Sequence, residues 1–76
     1  MENIKIVEAK YIKDYTISFK FQNGIQKTLD LQNELWGSVF EPLKDINLFK
    51  KFKLNYCTIE WENGADFAPE YLYNLT

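Results

Sequence analysis

Four carboxylates, Glu60, Glu62, Asp66 and Glu70, crowd the carboxyl-terminal part of the chain. On one extended strand Glu60 and Glu62 project from the same face about 7 Å apart. With Asp66 close by, such oxygen donors can hold Mg²⁺ or Ca²⁺, and a carboxylate pair can also move protons in acid–base catalysis. Glu60, Glu62 and Asp66 are therefore the candidate acidic site. The competing reading is a solvated face, because alternation sets Glu60 and Glu62 opposite Ile59 and Trp61, and neither a calcium-loop spacing nor a phosphate cradle accompanies them. Asp66, lying three residues before Pro69, also suits a structural role in which its carboxylate accepts backbone N–H groups from the following turn.

Lys50, Lys51 and Lys53, with Lys44 nearby, form the basic cluster. They could position a phosphate as point charges, but helix-dipole complementarity and solvation explain them as well. Cys57 is the single cysteine. With apolar neighbours at alternate positions and no partner to lower its pKa, it is expected to be a buried, inert thiol.

Absences remove more. The 76 residues contain no His and no Arg. Imidazole bases, His-containing triads, imidazole metal ligands and bidentate guanidinium recognition are all excluded. A net charge of −2 and a pI near 5.0 have the wrong sign for neutralising a phosphate backbone, so no direct contact with nucleic acid is expected. The longest uncharged runs, such as Leu35 to Phe40, fall far short of the roughly 20 residues of a membrane span. No signal-like amino terminus is visible, and one cysteine cannot close an intrachain disulfide, so a reducing, cytoplasmic address is expected. A chain this short also has little protein from which to carve a deep, dry reaction chamber. No cofactor and no catalytic set is expected.

Aromatic residues are in excess, thirteen in all or 17%. Phe19, Phe21, Phe40, Phe49, Phe52 and Trp61 fall in apolar register and are assigned to the core. Tyr11, Trp36, Tyr56, Tyr71 and Tyr73 are less readily enclosed. Rings with an apolar body and a polar tip anchor protein interfaces, so these five form the candidate interaction surface, with ordinary packing at a small domain's rim as the alternative.

The elements that would carry these groups follow from period. Tyr15, Ile17, Phe19 and Phe21 alternate with polar residues, Asn23-Gly24 suits a type I′ turn, and Ile25, Leu29 and Leu31 continue on a second strand, which makes a hairpin. Lys27 falls on the apolar side of that second strand, which predicts an edge position or a bulge. Ile4 to Tyr11 is a third strand whose alternation shifts between Ile6 and Val7. Asp30 can cap a helical turn through Leu35, with Gly37 as its left-handed stop. Asp45 precedes an amphipathic helix of about two turns over Ile46 to Lys53, too short to stand without the sheet. Leu54 to Trp61 alternates again, Asn63-Gly64 predicts a second hairpin returning through Ala65 to Phe67, and Pro69 opens a closing helical turn. The fold class predicted is a single α+β domain over 1–76: an antiparallel meander of about five strands, one short helix packed on it and a helical turn at the end.

The string from Ile59 to Tyr73, together with Phe21-Gln22-Asn23-Gly24, Asp30-Leu31, Gly37, Phe40, Leu43 and Phe49, resembles the small prokaryotic family called domain of unknown function 2442. The resemblance spans nearly the whole chain and implies a compact α+β module. Some members carry a DNA-binding helix-turn-helix after it, and others are encoded beside a small partner in arrangements resembling toxin–antitoxin pairs. The expected function is a non-catalytic interaction module, binding a protein partner or forming a homo-oligomer. The alternatives are a weak metal-assisted or acid–base enzyme at the carboxylates, and an accessory regulator reaching DNA within a complex.

Overall fold

The structure, a computed structural model, describes residues 4–75. The amino-terminal half is a three-stranded antiparallel sheet in the order β1 (Ile6–Lys13), β2 (Thr16–Phe21), β3 (Gln26–Asp30). Ile17, Phe19 and Phe21 line the inner face of the central strand and are wholly buried. The register breaks between Ile6 and Glu8, and again between Tyr11 and Lys13. The first bulge accounts for the shifted alternation at Ile6 and Val7: it turns Ile6, Ala9 and Tyr11 toward the core while Val7 and Glu8 face solvent.

The β2–β3 connection is not the expected type I′ turn. Such a turn needs positive φ at both Asn23 and Gly24, and only Gly24 has it, at 89°. Gly24 N donates to Phe21 O at 2.9 Å, Phe21 N to Ile25 O at 2.8 Å, and Ile25 N to Asn23 Oδ1 at 3.1 Å. This is a three-residue loop over Gln22, Asn23 and Gly24, closed by a glycine bulge. A two-residue loop would set Ile17 against Asp30, whereas the longer one sets Ile17 against Leu29 and keeps the apolar faces in register. Asn63-Gly64 repeats the arrangement: Gly64 N donates to Trp61 O at 2.9 Å, Trp61 N to Ala65 O at 2.8 Å, and Ala65 N to Asn63 Oδ1 at 3.1 Å.

Lys27 sits on the edge strand, as its position on the apolar side implied. Its stem crosses the core rim and its ammonium donates to the carbonyls of Tyr73 and Leu75. Asp30 receives Gln32 N at 3.0 Å and opens a single 3₁₀ turn, Gln32–Glu34; a second, Glu41–Lys44, carries the buried Leu43.

The carboxyl-terminal half departs from the expected meander. Helix α1 covers only Ile46–Phe49, with Asp45 accepting Asn47 N at its start. The anticipated second turn is instead the approach to β4 (Lys53–Leu54), so Phe52 owes its inward position to that approach and not to helical periodicity. Leu54 to Trp61 is not one strand. Asn55 breaks it by accepting the amides of Cys57 and Thr58 at 2.9 and 2.8 Å, and Asn55 N returns to Thr58 O. The chain thus turns back from β4 into β5 (Ile59–Glu60), a separate two-stranded sheet. Among the described residues the five strands therefore form two sheets. Ala65 to Phe67 contributes a single bridge, Glu60 to Asp66, and Pro69 opens α2 (Pro69–Asn74).

One apolar cluster joins the halves, from Ile6 and Phe19 through Phe49 and Trp61 to Phe67 and Leu72. Phe49 brings α1 against β1 by meeting the edges of Tyr11 and Tyr15 at 6.4 and 5.2 Å. Trp61 is the hinge of the cluster, packing on Phe40, Phe49, Phe52 and Phe67 while its indole N–H donates to Phe49 O at 2.7 Å. No helix among the described residues is long and apolar enough to cross a membrane.

Candidate functional site

The second Asn-Gly turn follows β5, sets Asp66 opposite Glu60 and leaves Glu62 in the loop. Glu60 faces Lys53 across β4 and pairs with Asp66 in the single bridge. Glu62, beyond the strand, borders a hollow between Pro42, Leu48, Lys51 and Trp61. Asp66 borders a different hollow on the side of α2. No group of three carboxylate or thiol side chains placed to share a cation occurs among the described residues. Nor does Asp66 cap α2: the cap residue is Ala68, with no side-chain hydrogen bond.

Lys50 and Lys51 lie exposed after α1 and Lys53 exposed on β4, while Lys44 pairs with Glu41 at 3.1 Å. Cys57 is half-buried in the β4–β5 loop and not mid-strand. Its carbonyl accepts Ile6 N at 2.8 Å, tying that loop to the start of β1. Thr58, placed by alternation on the polar side, is buried and donates to Phe67 O at 2.6 Å.

The five aromatics proposed as an interaction surface separate into three environments. Tyr11 and Tyr73 belong to the core rim: Tyr11 meets Phe49, and Tyr73 meets the edge of Phe21 at 5.1 Å while Asn23 donates to its hydroxyl. Tyr56 is 85% exposed at the tip of the β4–β5 loop, with the Lys5 ammonium 4.3 Å above its ring. Trp36 and Tyr71, 72% and 44% exposed, come together on one hollow of about 320 Å³.

That hollow is built by three segments. Trp36 follows the first 3₁₀ turn and Tyr71 lies in the first turn of α2. Phe67, between β5 and α2, forms the floor. Phe40 stacks on Phe67 at 4.8 Å and 28°, and Phe67 lies parallel to Tyr71 at 6.0 Å and 4°. The result is a row of rings whose outer members stay accessible. Glu34 and Asp66 place carboxylates at its margin. The Tyr71 hydroxyl donates to Glu34 Oε1, and this hydrogen bond, followed by desolvation and the nearby negative charge, holds the phenol pKa above its ordinary value. Sequence reasoning named Trp36, Tyr71 and Asp66 but missed Glu34, Phe40 and Phe67 as their neighbours. The available signal was Pro69, since a helix start there sets Phe67 and Tyr71 one turn apart.

The family model described as "Protein of unknown function (DUF2442)" matches residues 6–76. The chain belongs to that family. No curated protein and no solved structure matches it. The match takes in every element that builds the ring-lined hollow, from the turn carrying Glu34 to α2, so the hollow lies wholly within the family module.

Proposed function

We propose that this family member is a non-catalytic interaction module with a cytoplasmic address, self-associating or serving as the partner of another small protein, and that it docks through the hollow of Trp36 and Tyr71. The observation that carries this reading is the 72% exposure of Trp36 beside a row of rings. An indole held in water forgoes apolar burial on the order of 2 kcal/mol, which a docked surface would recover. Aromatic residues gathered in a shallow depression are the type that dominates binding energy at interfaces. The lone cysteine, half-buried and unpaired, is compatible with a reducing compartment.

The test is sedimentation equilibrium of the protein alone together with mass-resolved capture from its native cells, each repeated with Trp36→Ala. Because Trp36 contributes little to the core, the substitution should change stability by less than about 0.5 kcal/mol. Loss of the oligomer, or of one reproducible bound protein, is the expected result. A wild-type protein that stays monomeric at high concentration and captures nothing that Trp36→Ala loses would sink the reading.

A further inference from the structure

The chemistry of the hollow restricts what can occupy it. Its floor and walls are the rings of Trp36, Phe40, Phe67 and Tyr71, its margin carries Glu34 and Asp66, and no lysine lines it. Neither carboxylate forms a salt bridge among the described residues. Glu34 is further fixed in place by the Tyr71 hydroxyl. A purely apolar occupant would strip water from these carboxylates and return nothing. An acidic occupant would be repelled. A cation satisfies both parts of the site, since its charge pairs with the carboxylates and its face or stem lies on the rings.

We infer that the hollow receives a lysine or arginine side chain from a protein partner, presented on a segment with apolar flanking residues. This inference rests on the interaction reading above and adds the charge and shape of the partner. Charge complementarity selects the occupant: a net charge of −2 favours basic partners generally, and here negative charge is concentrated beside accessible aromatic surface. A second copy offering Lys50, Lys51 or Lys53 would also bring cations. Such a contact could be made reciprocally about a two-fold axis or head to tail, and the oligomeric state of the protein alone distinguishes it from a separate basic partner.

The experiment follows the indole N–H resonances of Trp36 and Trp61 by heteronuclear NMR during titration with four capped tripeptides. Each has leucine on both sides of a central lysine, arginine, norleucine or glutamate. Lysine and arginine peptides should shift the Trp36 signal and the amides of 34–40 and 66–71 while leaving the buried Trp61 signal nearly still. The norleucine peptide should bind about tenfold more weakly, the glutamate peptide more weakly again, and added salt should narrow the difference. The Glu34→Gln, Asp66→Asn double variant should remove the preference for cations, with its resting spectrum showing that the fold persists. Equal response to the neutral or acidic peptide, or shifts centred elsewhere, overturns the inference. So does a protein that oligomerises alone and becomes monomeric both with Trp36→Ala and on substitution of Lys50, Lys51 and Lys53, because the occupant is then a second copy. If the peptides fail while Trp36→Ala still abolishes capture of a specific partner, only the cationic assignment falls. If Trp36→Ala alters neither capture nor oligomeric state, the interaction reading beneath it falls.

Discussion

The ammonium of Lys27 lies 5.1 Å from the centre of the Tyr73 ring and donates to the backbone carbonyls of Tyr73 and Leu75. A charge on the apolar side of an edge strand thus anchors the end of α2, supplying donors to carbonyls that a helix terminus leaves unpaired. Lys27→Met keeps the stem and removes the donors. It should cost about 1 to 2 kcal/mol and accelerate amide exchange in α2 more than in β2, measurable by denaturant titration and hydrogen-exchange NMR.

Trp61 combines packing with a buried hydrogen bond to Phe49 O. Trp61→Phe leaves that carbonyl without its donor and opens space among four rings, at an expected cost of about 2 to 4 kcal/mol. Because a chain of this size has only a few kcal/mol of stability, on the order of 5, the variant should unfold at a much lower urea concentration. Circular dichroism provides the measurement.

Gly64 tests the second loop. Its φ is 90° and nothing lies within 4 Å of where a Cβ would stand, so substitution strains the backbone without a clash. Gly64→Ala should cost about 1 to 2 kcal/mol, and Gly64→Asn less, since asparagine tolerates the left-handed region. Thermal unfolding of the pair separates this account from one based on crowding, which predicts the opposite order.

Tyr71 gives the pH dependence. Its pKa is raised chiefly by the hydrogen bond to Glu34, so the folded state holds the phenolic proton more tightly than the unfolded one. The stabilisation is complete below the ordinary tyrosine value of about 10 and is lost as pH rises through the higher folded value. In a spectrophotometric titration the Tyr71 phenol should ionise above that ordinary value. Glu34→Ala should bring it back down, and Tyr71→Phe should delete that step from the curve.

The alternation of Ile17, Phe19 and Phe21 made β2 legible in the sequence, and the misplaced Lys27 marked an edge or a bulge, of which the structure has the edge. Loop class was not legible from Asn23-Gly24 alone, because that dipeptide serves two- and three-residue connections alike; matching Ile17 to Leu29 decides between them. The spacing of Phe49 and Phe52 imitated a second helical turn, since a chain leaving a one-turn helix toward a strand can still point both rings inward. Asn55 was hidden by the alternation around it. At the site, the reversal at Asn63-Gly64 sets Asp66 opposite Glu60 and leaves Glu62 in the loop, whereas Trp36 and Tyr71, remote along the chain, share one depression. Such juxtapositions arise from tertiary packing and have no local periodicity to announce them.

The tether from β3 to the end of α2 also bears on how copies of this chain can stack. An intruding strand seeking to extend the sheet beyond β3 would meet an inward-pointing ammonium whose acceptors belong to its own helix, and a dry interface between layers would strand that charge. The β3 edge of the sheet is therefore guarded by the same residue that secures the end of α2, and loosening one should unmask fibril formation at the other.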